Sequence, residues 1–232
     1  MAASVEITAL AGGAVDPGLD HVAAAFRKET GHTVKIAYNL GAQGIKRMDE
    51  GEIFDVVVQP EDTLEIFFRA HGNVEDGGVS IGRVGLGVMA RPAAPVPDIF
   101  SMAAFRRAIL EADAILYTTA TSGRYIEEML GKMGLLEQTK AKTTRYPHGP
   151  ELMERVLSGS GTELAFLPVS FIRKASRERG MVLVGPVPEE VQHYLDFIVV
   201  PSVRSTHKDV AWAFAHFCGG PGKPLLAAQG LT

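Results

Sequence analysis

Directly after the apolar run Ala114–Tyr117, the chain reads Thr118-Thr119-Ala120-Thr121-Ser122-Gly123-Arg124-Tyr125. The run predicts a buried strand, and the segment after it predicts a polar turn and a helix from Ser122 to Gly131 with Ser122 as N-cap. A helix start offers N–H groups without intrahelical partners and a partial positive charge, so hydroxyls, a glycine and an arginine there make an anion receptor. Arg124 falls in the first turn, where the helix dipole disfavours a cation unless an anion is near. An ordinary capped helix would read the same way from this segment alone.

Comparable junctions recur. Gly12-Gly13 follows the first strand, Leu40-Gly41-Ala42-Gln43 the second, Gln59-Pro60 the third, Pro147-His148-Gly149 and Leu167-Pro168 later ones. Glycines let a ligand come close to backbone N–H groups. His148 reads two ways: a turn histidine bonded within its own loop, or a ligand donor and acid–base group near neutral pH. His21, His71, His193, His207 and His216 show no metal-ligand spacing and read as surface residues. Gly12-Gly13-Ala14-Val15 lacks the rest of a dinucleotide fingerprint, and neither a phosphate-loop lysine nor a G-x-S-x-G elbow is present, which argues against nucleotide binding and acyl transfer.

The elements that must position these residues alternate along the whole chain. Strands are predicted at Val5–Leu10, Thr33–Tyr38, Phe54–Val58, Arg83–Ala90, Ala114–Tyr117, Ala141–Thr144, Leu164–Leu167, Met181–Val184 and Tyr194–Val200. Between them lie helices opening at Asp16-Pro17, Gly41, Pro60, Asp98, Ser122, Gly149 and Val169, and two more follow near Thr206–Cys218 and Lys223–Gln229. That alternation argues an α/β fold of largely parallel sheet. Two crossing strands about a hundred residues apart divide it into two doubly wound lobes joined by a two-stranded hinge, with 1–83 and 197–232 in one and 84–196 in the other. Arg83 at the hinge reads as a strand bridge, and Arg145 is free to face either way.

The 232 residues carry a formal charge of −4 with no basic block, so nucleic-acid binding is not expected. Cys218 is the single cysteine, which excludes an intramolecular disulfide and a cysteine zinc site. No cofactor or metal is expected. No apolar run suits a membrane span, and no leader precedes Val5, which reads as cytoplasmic for the chain as it stands, or periplasmic if Met1 replaces a removed leader.

Several stretches together resemble periplasmic molybdate-binding proteins: Ala23–Val34, Gly41–Ile45, Asp49–Val56, the Ser122-Gly123-Arg124-Tyr125 turn, Glu163–Phe166 and Ala227–Leu231. The resemblance covers nearly the whole chain and implies a type II solute-binding protein, a monomer whose lobes close on a small anion and which serves an ABC-importer permease or acts as a sensor. It places Gly12, Gly13, Gly41, Ala42, Gln43 and Gln59 on one side of the ligand and Ser122, Gly123, Arg124 and His148 on the other. The chain departs from that family where it usually has a serine in each of the first two loops and a tyrosine near Phe166-Leu167-Pro168. With three hydroxyl donors missing and Gln43, Gln59, Arg124 and His148 present, a larger planar carboxylate suits the site better than molybdate or tungstate. Aconitate isomerase is similar to the same family, which implies an alternative: a 1,3-proton shift on a tricarboxylate, with His148 as base, or less well Tyr125 or Glu151.

Overall fold

The computed structural model describes residues 4–38 and 41–232. Met1, Ala2, Ala3 and the Leu40 junction position lie outside the described residues. The elements in order are β1 Glu6–Ala11, α1 Asp16–Thr30, β2 Thr33–Tyr38, α2 Gly41–Asp49, β3 Val56–Pro60 and α3 Glu61–Leu64, which runs on as a π-helical turn, Glu65–Arg69. Then come β4 Val79–Ala90, α4 Met102–Glu111, β5 Ala114–Thr118, α5 Thr121–Lys132, α6 Leu136–Thr139, β6 Thr143–Tyr146 and α7 Gly149–Ser158. The chain finishes with β7 Glu163–Pro168, α8 Val169–Arg179, β8 Val182–Pro186, β9 Tyr194–Pro201, α9 Lys208–Gly219 and α10 Lys223–Ala227. Residues up to Val84 form one compact unit with Leu195–Thr232, and Gly85–Tyr194 form the other. The α/β alternation read from the sequence is what the structure contains.

In the first unit β1 is central, parallel to β2 from Glu6↔Thr33 to Ala11↔Tyr38 and to β3 from Ala9↔Val56 to Ala11↔Val58. β9 closes the other side of β3 antiparallel, Val56↔Pro201 through Pro60↔Phe197. Leu10 and Val57 pack with Ile45 and Met48 of α2 and with Leu64 and Phe68. Phe26 of α1 meets Phe214 and Phe217 of α9 edge-on at 5.3 and 5.4 Å. Gly31 ends α1 at φ +80, its N–H donating to the Arg27 carbonyl, a left-handed cap that any Cβ would strain.

The second unit orders its strands β8-β4-β7-β5-β6. β5 is parallel to both β6, Ile115↔Thr143 through Thr118↔Tyr146, and β7, Ala114↔Glu163 through Leu116↔Ala165. One face packs Leu116, Ala165 and Leu167 against Leu152 and Val156 of α7 and Ile172 of α8. The opposite face carries Tyr117 beneath α5 and Phe166 against Phe105 of α4, ring centroids 6.2 Å apart.

Several boundaries differ from expectation for local reasons. β3 starts at Val56 rather than Phe54 because Asp55 is a knot of hydrogen bonds. Its Oδ2 accepts from the Thr8 N–H and hydroxyl at 2.8 and 3.1 Å, and its Oδ1 accepts from the Ser205 hydroxyl at 2.7 Å. α4 starts at Met102 rather than Asp98: Ser101 caps it, accepting from the Ala104 N–H, while Asp98 accepts from Phe100 N–H in a turn of its own. β6 begins two residues late because α6 and a 3₁₀ turn, Lys140–Lys142, occupy the preceding stretch. Arg83 fixes the last residue through its backbone, with N–H to the Thr232 carbonyl at 2.9 Å and the reverse bond at 2.8 Å.

Asp55 is 8% exposed, so losing its carboxylate strands the Thr8 and Ser205 donors. Asp55→Ala is expected to lower unfolding free energy by about 3 kcal/mol, read as a fall in the urea midpoint at unchanged slope.

Candidate functional site

Parallel pairing puts the junctions after β1, β2 and β3 on one edge of the first unit's sheet and those after β5, β6 and β7 on one edge of the second's. Such an edge is where open α/β sheets present helix starts to ligands. In the first unit, Ala11 is level with Tyr38 and Val58, so Gly12 lies beside Gln59. Gly12 is buried and its N–H donates to the Val58 carbonyl at 2.8 Å. A Cβ built on Gly12 would stand 3.1 Å from Gln59 Oε1 and 3.3 Å from the Phe197 ring. Glycine here is a packing requirement that keeps the 2%-exposed Gln59 amide against the backbone. Gly13 is exposed and begins a single 3₁₀ turn, Gly13–Val15, ahead of α1. Gly41 opens α2, and Ala42 and Gln43 are exposed in its first turn.

In the second unit the edge comprises Thr118–Ala120 before α5, Pro147-His148 before α7 and Pro168 before α8. Here the expected cap is corrected: Ala120, not Ser122, is the N-cap of α5, the helix runs from Thr121, and Ser122 is buried inside the first turn. The cause is Gly123. A Cβ built there would lie 1.7 Å from the Thr118 carbonyl oxygen, so the helix settles onto the end of β5 more closely than any other residue permits and starts one residue early. Thr119 N–H meanwhile donates to the Tyr146 carbonyl at 2.8 Å, extending the β5–β6 pairing into the turn.

Arg124 is half exposed. Its guanidinium lies 4.8 Å from the Tyr125 ring centre, Nη2 donates to the Tyr125 hydroxyl at 2.8 Å, and Nε is 3.9 Å from the Glu128 carboxylate. The Tyr125 ring stacks on His193, centroids 3.3 Å apart and planes 15° from parallel. His193 read as a surface residue in the sequence; the fold makes it the stacking partner of the tyrosine that follows Arg124. Its neighbour Gln192 clasps Leu86, accepting from the Leu86 N–H at 2.7 Å and donating to its carbonyl at 3.0 Å. Nothing in the local sequence signals either role, because both partners lie more than sixty residues away.

His148 is the N-cap of α7, partly buried, with no side-chain cap hydrogen bond. Gly149 after it would press a Cβ to 2.7 Å from the Phe171 ring, so α7 begins against α8. Glu151 lies in the exposed first turn of α7, while Arg145 turns to the α5 face, donating to Glu127 at 2.7 Å. There a cavity of about 380 Å³ is lined by Tyr117, Glu127, Glu137, Lys140 and Arg145. Burial, and then the Glu127 carboxylate that accepts from the phenol, push the Tyr117 phenol up to about 12, with Arg145 opposing. No group of metal-ligating side chains occurs among the described residues.

The family profile of the bacterial extracellular solute-binding proteins matches residues 7–232. The chain belongs to that family. Among solved structures, this solute-binding protein is similar to the periplasmic molybdate-binding protein of Azotobacter vinelandii, with TM-score 0.79, 17% identity, and 97% and 98% of the two chains covered. It is also similar to the sulfate-binding protein of Mycobacterium tuberculosis, with TM-score 0.78, 19% identity, and 98% and 86% covered. The fold is therefore that of the type II periplasmic binding proteins. A Pseudomonas aconitate isomerase is 26% identical over 217 residues, 91% of this chain and 81% of that protein.

Gly123→Ala drives a methyl group into the Thr118 carbonyl and is expected to cost about 3 kcal/mol, checked by urea denaturation. The raised Tyr117 pKa favours the neutral phenol in the folded state. Its contribution is whole below the unfolded value near pH 10 and is lost as pH rises toward 12. Tyr117→Phe is expected to flatten the fall in urea midpoint across that window.

Proposed function

We propose that this protein captures a small, oxygen-rich anion, an organic carboxylate by preference, on the strand-end edges described above. The observation that carries the reading is the start of α5: a twelve-residue helix held on the Thr118 carbonyl by Gly123, with a guanidinium fixed in its first turn by Tyr125 and Glu128. A cation is unfavourable at that end of a helix unless an anion shares the place. Family membership supports a binding role, and the relatives named for molybdate and sulfate support an anion. The buried Gln59 amide and His148 supply planar and ring donors that suit a carboxylate.

In this reading the crossing strands β4 and β9 act as a hinge, a ligand with contacts to both units favours the closed state, and Gly12, Gly13 and Gln59 act with Ser122, Arg124 and His148. A monomeric receptor of this kind would deliver its ligand to an ABC permease from the periplasm, or act as a sensor in the cytoplasm. A second reading is favoured by the aconitate isomerase relative: His148 as the base of a 1,3-proton shift, with Arg124 and the helix starts holding carboxylates and the developing negative charge.

Proton NMR of cis-aconitate, trans-aconitate and citrate, followed over hours with protein added, separates the two. Line broadening with no new resonances is the expected result and denotes a receptor, whereas growth of the other aconitate isomer denotes an enzyme. Arg124→Ala is expected to abolish the broadening while leaving the circular dichroism spectrum unchanged. Broadening equal to wild type in that variant removes Arg124 from the site.

A further inference from the structure

Thr118 ends β5, is 3% exposed, and its hydroxyl oxygen has no hydrogen-bond partner. A buried hydroxyl left without a partner is unfavourable, and valine has nearly the same shape without that cost. Of the four residues before it, Ala114, Ile115 and Leu116 are aliphatic and the Tyr117 hydroxyl is bonded to Glu127. A polar group placed at the end of an apolar strand therefore calls for something to bond.

Strand alternation fixes where it points. Tyr117 lies on the α5 face, where its hydroxyl donates to Glu127 at 3.1 Å. Thr118 therefore belongs to the opposite face, with Leu116 two residues before it. Its lateral neighbours agree: Tyr146 is its register partner on β6, Leu167 is level with it on β7, and both pack in the core formed with α7 and α8. The hydroxyl thus lies at the rim of that face, where α7 opens at Gly149 and α8 at Val169. These helices of ten and eleven residues have first-turn N–H groups without intrahelical acceptors. Phe171 fills the space beside Gly149 with its ring.

We propose that the Thr118 hydroxyl is a ligand-binding and specificity-determining group. It donates a hydrogen bond to an oxygen of an anion seated at the starts of α7 and α8. It selects anions with an acceptor oxygen to spare, as multi-carboxylates and tetrahedral oxyanions have. The inference rests on the anion-binding reading above.

The test uses the whole protein and its Thr118→Val and Thr118→Ser variants, with sodium trans-aconitate, sodium sulfate and sodium molybdate as probes, by thermal shift and isothermal titration calorimetry. Without anion, Thr118→Val is expected to melt at or above the wild-type temperature. With the probe that wild type binds best, it is expected to bind about tenfold or more weakly, while Thr118→Ser stays within about threefold. Equal binding by wild type and Thr118→Val overturns this inference and leaves the anion reading standing. A melting temperature several degrees lower in anion-free Thr118→Val overturns it as well, since the hydroxyl would then hold the fold. If wild type binds none of the three probes, both the inference and the anion reading fall.

Discussion

The contact between Gly123 and the Thr118 carbonyl is the constraint from which the second unit's functional edge follows. A helix that begins immediately after a parallel strand must turn back across the sheet, and its first turn lands on the strand's last carbonyl. With a built Cβ only 1.7 Å from that oxygen, the landing is possible for glycine alone. The landing decides that α5 starts at Thr121, that Ser122 is buried and that Arg124 leaves the helix in its first turn. Arg124 can then lie over Tyr125, and Tyr125 over His193. Moving the helix outward would draw Tyr125 away from His193.

The first unit meets the same topological demand from the other end. Its parallel strands β1 and β3 are pinned at their starting edge by Asp55, whose carboxylate bonds Thr8 of one strand and Ser205 beyond β9. At the opposite edge lie Gly12, whose N–H donates to the Val58 carbonyl, and the buried Gln59. The hydrogen-bonded knot and the proposed ligand edge thus occupy opposite ends of one sheet. The division suits a family whose members keep a scaffold while changing ligands.

Charge placement separates the two units' contributions. Apart from the Gln59 amide, the first unit's edge offers backbone and exposed Gly13, Ala42 and Gln43, with no charged side chain among the residues singled out. The second offers a guanidinium, a histidine at a helix N-cap and a buried threonine hydroxyl. The donors of the second unit thus differ in kind and in depth.

The sequence by itself determined the α/β alternation, the position of nearly every strand and helix, and the junctions at Gly12, Gly41, Gln59, Gly123 and His148, since periodicity, glycines and prolines act over a few residues. It placed Asp55 within an apolar strand and Ser122 at a cap, because propensity sees neither a partner 150 residues along the chain nor a carbonyl one turn below. Only the tertiary structure decided that His193 stacks on Tyr125, that Gln192 clasps Leu86, that Arg145 turns to Glu127 and that the Thr118 hydroxyl is buried without a partner. Each depends on which face of a sheet a residue occupies and on what another strand brings beside it, and that pairing is a product of the whole chain's folding.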